Sequence, residues 1–306
     1  MNHNVTGYAH PGYAQALAEF GAPCELPGCG GWVLRRPIAG TGLHDAMGCY
    51  PLFSCRDWSK LGGDLAALDK GIVSLAAVLD PFGGYTEADL KSWFPDLVLA
   101  FKQHFIVDLA QRPLANLPES HRRYVKKAAK EVRVEPVENP VGLLDDWVSL
   151  YATLIERHEI KGIARFSRSS FEQQLRLPGM FAFRAVHEDR TVGMLLWAVQ
   201  GEAGFYHLGA YSDAGYQVRA SYALFPAAIE FFGARKLRWL NLGAGAGSSG
   251  DGTDGLSQFK RGWSTGTRQA FFCGRILDRG AYENILREKN IPPTRYFPAY
   301  RQGEFA

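Results

Sequence analysis

Lys260 follows Phe259 at the far side of a glycine-rich run, LNLGAGAGSSG (240–250), and together they offer a cation beside an aromatic ring at the mouth of a loop. Upstream, Tyr206 and His207 lie on a predicted strand, Tyr211, Asp213 and Tyr216 fall where that strand ends, and Arg219 opens the next helix. An imidazole titrates near neutral pH, so His207 could serve as a general base; a lone strand histidine is more often a packed core residue. Arg219 could meet a phosphate at a helix start or simply face solvent. These residue types suit acyl transfer to an amine, which needs a neutral amine, a place for its proton and stabilisation of a tetrahedral oxyanion.

A second cluster is purely electrostatic. Between Ser120 and Glu131 the residues Arg122, Lys126 and Lys130 recur four apart, with Arg123 and Lys127 beside them, so one helical face is continuously positive. Cys24, Cys29, Cys49 and Cys55 could in principle hold zinc with His44 as substitute, but their spacings sit at or beyond the long edge of structural zinc patterns. They read as thiols, and no metal site is expected. The fifth, Cys273, makes the count odd in a chain whose start carries no charged and apolar leader, which points to a reducing cytoplasm.

The bulk composition narrows the class. The chain has 306 residues, 46% of them hydrophobic, and a net charge of +3, enough apolar side chain for buried cores and too little charge to announce a polyanion partner. No apolar run approaches the ~20 residues of a bilayer span, so no membrane partner is expected.

The elements that must position these residues alternate. Gly31–Ile38 and Ile72–Leu79 read as strands, helices start after Asp57 and near Ala88, and Leu97–Leu109 is a long strand. The basic helix follows, and Pro136, Asn139 and Pro140 mark a boundary. Beyond it come two helices (from Pro140 and from Ser167), a meander (Met180–His187, Val192–Gln200, Gly204–Ala210), a helix (Arg219–Phe232), a strand (Leu237–Leu242), a strand (Arg268–Leu277) and a last helix. The order strand, loop, helix, strand, then glycine-rich loop and Lys260 is that of a donor-binding acyltransferase core.

The glycine loop also satisfies G-x-G-x-x-G at Gly245, Gly247 and Gly250, the fingerprint of a dinucleotide or methyl-donor fold. Such loops open a doubly wound sheet and need ~100 further residues of alternating strand and helix. Too little chain follows Gly250 for that.

With this order in place, the sequence resembles the GNAT acetyltransferase superfamily, specifically its Fem-type (FemABX-like) aminoacyl and peptidyl transferase branch. The resemblance rests on His121-Arg122-Arg123 with Lys126-Lys127-Ala128, LWAVQGEAGFYHLGAYSDAGY, Ser221-Tyr222-Ala223-Leu224, and Leu242-Gly243 followed by Phe259-Lys260-Arg261-Gly262-Trp263. It runs from about Pro113 to the C-terminus. It implies an α+β protein of two tandem acetyltransferase-like domains, a divergent one over 1–135 and a better defined one over 136–306, with a cleft between them lined by Phe259, Lys260 and Tyr211. It further implies that Lys260 is a cation near the donor carbonyl with Phe259 packed beside it, and that Tyr216, Gln217, Arg219 and Ser221 lie at the donor loop. The chain departs from the acyl-CoA members at that loop, where Ala220 and Tyr222 replace small positions that let the backbone close on a pyrophosphate.

The expected activity is amide formation by transfer of an acyl or aminoacyl group to an amine of a small molecule or peptide. No bound cofactor is required; aminoacyl-tRNA is the favoured co-substrate and acyl-CoA or an acyl carrier the alternative, with Arg122, Arg123, Lys126 and Lys127 as the phosphate contacts and no DNA partner. A non-catalytic acyl- or RNA-binding module on the same fold is the reading of another class.

Overall fold

The structure, a computed structural model, describes residues 5–68, 71–245 and 254–304. In chain order the first half holds α1 (Pro11–Ala16), β1 (Ala22–Leu26), β2 (Gly31–Pro37), β3 (His44–Gly48), α2 (Leu61–Ala67), β4 (Ile72–Val78), α3 (Glu87–Trp93), β5 (Leu97–Asp108) and α4 (Glu119–Glu131). Then follow β6 (Arg133–Val137), α5 (Leu144–His158), α6 (Arg168–Leu175), β7 (Met180–His187), β8 (Arg190–Gln200) and β9 (Ala203–Tyr211). The chain continues through α7 (Asp213–Gln217), α8 (Ala220–Ala234), β10 (Trp239–Asn241), α9 (Gly255–Arg261), β11 (Gly266–Ile276) and α10 (Arg279–Glu288). The class is α+β, as expected.

Two compact units are interleaved in sequence: one takes Met1–Gly7, Lys102–Ile160 and Phe166–Arg268, the other Tyr8–Phe101, Lys161–Arg165 and Gln269–Ala306. The boundary expected at 135/136 falls inside β6 of the first unit, which pairs antiparallel with β7. Pro136 sits in that strand because β6 ends the strand order and has a neighbour on one side only, where a residue without an N–H is tolerated.

In the second unit the strands follow the order β1-β2-β3-β4-β11, with β3 and β4 parallel and the other pairs antiparallel. Leu61, Leu65, Leu90 and Phe94 of the helices and their ends bury against Val33, Phe53 and Leu75. Asp45 on β3 is fully buried and accepts two hydrogen bonds from Arg301, at 2.8 and 3.0 Å, with Arg36 at 3.4 Å. The carboxylate thereby ties the C-terminal turn to the strands. All five cysteines are free, and the buried Cys29 thiol donates to the Leu26 carbonyl.

The first unit carries the chemistry. Its strands follow the order β5-β10-β9-β8-β7-β6: a meander from β6 to β9, then β9 parallel to β10, and β10 antiparallel to β5. This mixed sheet is no doubly wound nucleotide fold. Helix α8 (ASYALFPAAIEFFGA) is apolar around most of its circumference because it packs against α4 on one side and strands β6 to β8 on another. Phe225 and Phe232 of α8 are fully buried with Trp197, Phe183 and Trp263, each such side chain worth about 1.5–3 kcal/mol of burial.

Candidate functional site

The site begins where two neighbouring strands part. Strand β10 pairs with β9 only through Trp239, Leu240 and Asn241 opposite Ala203, Gly204 and Phe205, and β9 then runs on to Tyr211 without it. The chain leaving β10 stays on β5 instead: Leu242 N–H donates to the Phe105 carbonyl (2.9 Å) and Phe105 N–H to the Gly243 carbonyl (3.0 Å). Gly243 makes the turn at φ +71°, a left-handed conformation that a side chain disfavours. Gly247 and Gly250 of the glycine-rich run lie outside the described residues.

Lys260 of α9 fills this opening. It is 5% exposed, its Nζ donates to the Ala244 carbonyl at 2.6 Å, and it stands 5.4 Å from the centre of the Tyr206 ring. Burial, reinforced by the positive charge of Lys102 and opposed by Asp254, pushes its pKa down to about 7. Burial thus weakens the preference of this amine for its charged form. Asp254 caps α9, accepting from the Ser257 N–H (2.9 Å) and hydroxyl (2.5 Å), and so fixes the helix that presents the lysine. On the other side of the helix the Phe259 carbonyl accepts from His121 Nε2 (3.0 Å), and the Phe259 ring meets Phe225 at 4.9 Å.

Strand β9 contains an irregularity that alternation could not reveal. Leu196 opposes Leu208 while Trp197 opposes Tyr206, so His207 is an extra, unmatched residue, a β-bulge. The bulge brings Tyr206 and Tyr211 to one face, where they share a hydrogen bond, and burial raises both phenols. Gly209 allows it: a Cβ there would lie 2.2 Å from the Tyr206 hydroxyl. Tyr211 in turn contacts Tyr216, which is covered by the Arg157 guanidinium at 4.1 Å.

His207 points the other way. Its Nε2 lies 2.9 Å from Gln174 Oε1 of α6, and burial pushes its pKa down to about 3. Since the amide oxygen only accepts, Nε2 carries the proton. A neutral imidazole bonded to Gln174 has the environment of a packed core residue.

Two residues that sequence reasoning passed over complete the opening. Asn241, 1% exposed at the end of β10, accepts at Oδ1 from the Gly243 N–H (2.8 Å) and meets His104 Nδ1 of β5 at 3.0 Å. Burial, with the charges of Lys260 and Lys102 adding to it, pushes His104 down to about 4 although its bond to Asn241 opposes the shift. The only signals in the sequence were a histidine inside a long apolar strand and an asparagine closing one.

The proposed phosphate contacts gather elsewhere on this unit. Arg122, Arg123, Lys126 and Lys127 are exposed on α4, and Arg123 and Arg219 both lie over the Tyr124 ring, at 5.1 and 4.6 Å. Bonds and charge from these two guanidiniums lower the Tyr124 phenol. None of these five cations enters an ion pair among the described residues. Gln217 is exposed at the end of α7 and Ser221 half-buried in the first turn of α8; neither is drawn toward Lys260 by a contact.

Comparison with solved structures gives this arrangement a context. FemX superposes with a TM-score of 0.59 over 83% of this chain and 86% of its own, at 13% identity. The chain shares the fold of FemX. L-PGS from Bacillus licheniformis matches with a TM-score of 0.58 over 94% of this chain and 99% of its own, at 15% identity. The C-terminal domain of an Agrobacterium fabrum protein assigned as lysylphosphatidylglycerol synthetase matches with 0.58 over 93% and 92%, at 12% identity. No family profile and no curated protein sequence matches. The Fem-type resemblance read from the sequence therefore holds at the level of the fold.

Proposed function

We propose that the protein is an acyltransferase that joins an acyl or aminoacyl group to an amine of a small molecule or peptide, with the reaction centred on Lys260. The observation that carries this reading is a lysine buried at the point where β9 and β10 part, its amine bonded to the Ala244 carbonyl, where burial pushes its pKa down to about 7. An amine acceptor is protonated in water and must lose a proton before or as it attacks; a side-chain amine poised near the working pH can take that proton and return it to the leaving group. The shared fold supports the aminoacyl-transfer part of this reading, since one of the similar structures carries in its name the making of lysylphosphatidylglycerol, an aminoacyl ester formed on a hydroxyl rather than an amine.

Aminoacyl-tRNA is the favoured donor. The five cations of α4 and Arg219 have no carboxylate partners among the described residues and are spaced to follow a phosphodiester backbone, while the Ala220 and Tyr222 side chains occupy the positions that a pyrophosphate-binding loop keeps small. Acyl-CoA remains the second reading, favoured by Arg219 at a helix start that has no side-chain cap. Titration of charged tRNA and of acetyl-CoA into the protein at two salt concentrations separates them. Salt-sensitive tRNA binding supports the first, and tight, salt-insensitive acetyl-CoA binding without tRNA affinity selects the second.

A further inference from the structure

The hydrogen bonds around Asn241 determine more than its position. The Gly243 N–H can only donate, so the side-chain atom 2.8 Å from it is the amide oxygen and the assignment of Oδ1 and Nδ2 is fixed by chemistry. That oxygen can only accept, so His104 Nδ1, 3.0 Å away, must carry a proton and donate it. Burial, which pushes His104 down to about 4, keeps the ring neutral, so it is held as the Nδ1–H tautomer. Two donors thus hold Oδ1, and the amide plane cannot turn without breaking both bonds. The consequence falls on the other end of the amide. Asn241 Nδ2 is buried and has no hydrogen-bond partner among the described residues. An unpaired buried donor is unfavourable, and native structures keep one chiefly where a ligand or water completes it.

Its surroundings narrow what that ligand is. Gly243 links Asn241 to the lysine: its N–H bonds the Asn241 oxygen, and a Cβ on Gly243 would lie 3.4 Å from Lys260 Nζ. Nδ2 offers N–H groups only, so it is matched by an acceptor, and a carbonyl oxygen that gains negative charge in a reaction is the one such a donor would stabilise most.

We infer that Asn241 is a catalytic hydrogen-bond donor to the acyl carbonyl oxygen of the donor substrate, preorganised by His104 and Gly243 and acting beside Lys260. The inference rests on the acyl-transfer reading above and adds the group that holds the oxyanion. In the step, the acceptor nitrogen forms a bond to the carbonyl carbon while the carbonyl π pair moves onto oxygen, where Asn241 Nδ2 donates to it. Neutral Lys260 takes the proton from the attacking nitrogen. Collapse of the intermediate restores the carbonyl, breaks the bond to the leaving oxygen or sulfur, and that atom receives the proton from Lys260. Ester or thioester plus amine thus gives amide plus alcohol or thiol, with Lys260 neutral again.

The test uses binding probes that do not turn over: adenosine bearing alanine through a 3′-amide, a stable stand-in for the end of an aminoacyl-tRNA, and acetyl-CoA without an acceptor. Asn241→Asp retains an oxygen for Gly243 and His104 but removes the donor; Asn241→Ala removes it without adding charge or a hydroxyl. The expected result is that the parent binds one probe, that its Asn241 side-chain amide resonance moves on binding, and that both variants bind at least tenfold more weakly while melting like the parent. Should either variant fail to fold, the amide resonance of the parent decides. Parent-like affinity in the folded variants, or an unmoved resonance in the bound parent, overturns the role of Asn241 and leaves the acyl-transfer reading standing. A parent that binds neither probe overturns that reading, and the inference with it.

Discussion

Lys260 Nζ and the Ala244 carbonyl oxygen are 2.6 Å apart, so the amine of one residue is held by the backbone of the loop that leaves β10. The bond fixes the amine while burial removes most of its preference for the charged form. Its protonation is then a measurable property of the fold. Between pH ~7, the folded value, and pH ~10.5, the ordinary value, the unfolded chain holds a proton at this position that the folded chain does not. Raising pH through this window therefore stabilises the fold, by at most about 1.4 kcal/mol per pH unit. Lys260→Met should abolish this part of the pH dependence, which thermal melts of both proteins from pH 6.5 to 10 will show. An unchanged dependence would mean that the lysine titrates as it does in water.

Gly243 should be intolerant of a side chain. Gly243→Ala forces a left-handed φ of +71° on a residue with a Cβ and brings that atom to 3.4 Å from Lys260 Nζ. A cost of about 1–2 kcal/mol in stability is expected from the backbone alone. Turnover should fall further than stability predicts, because the loop that holds both the Asn241 amide and the Lys260 amine is the part that is strained.

His207 should prove structural. His207→Phe leaves the Gln174 carbonyl without its 2.9 Å donor, and a loss of about 1–3 kcal/mol is expected. Turnover per folded molecule should stay within a few-fold of the parent. A drop of ~10²-fold at unchanged Tm would restore His207 to the chemistry.

These outcomes bear on what could be read from sequence. The helices and the meander were legible because their apolar periods are long and their caps conventional: Asp57, Ser167 and the run from Leu144 to Ile155 all mark elements that form. Lys260 stood out through its place after the glycine loop. Three things were hidden. The bulge at His207 depends on which residues of β8 face β9, and a strand read alone cannot show an unmatched residue. His104 and Asn241 are 137 positions apart and meet only when β5 and β10 pair. Pro136 mimics a linker because an edge strand tolerates it, and the two compact units are built from interleaved segments that no local signal assigns.

The buried carboxylate of the other unit offers a control far from the chemistry in sequence. Arg301→Ala removes both hydrogen bonds to Asp45, a fully buried acid, and should destabilise by about 3–5 kcal/mol. Chemical denaturation will measure it. A change below ~1 kcal/mol would show that Arg36 alone suffices to hold the charge.

The basic face of α4 predicts a salt dependence. Arg122 and Lys126 are exposed and not ion-paired among the described residues, so replacing both with alanine should leave Tm unchanged. For tRNA binding, the slope of log affinity against log salt should become shallower by roughly one for each phosphate no longer neutralised. An unaltered slope would remove this face from the donor site.

The most direct measurement is enzyme-dependent amide formation from a charged tRNA, and from acetyl-CoA, with hydroxylamine as a generic amine acceptor and hydroxamate as the product. Product from one donor above the uncatalysed rate is expected, rising with pH to a plateau above about pH 7 as Lys260 becomes neutral, and reduced by ~10²-fold or more in Lys260→Ala. No hydroxamate above background from either donor, or a Lys260→Ala protein as active as the parent, would contradict acyl transfer at this site.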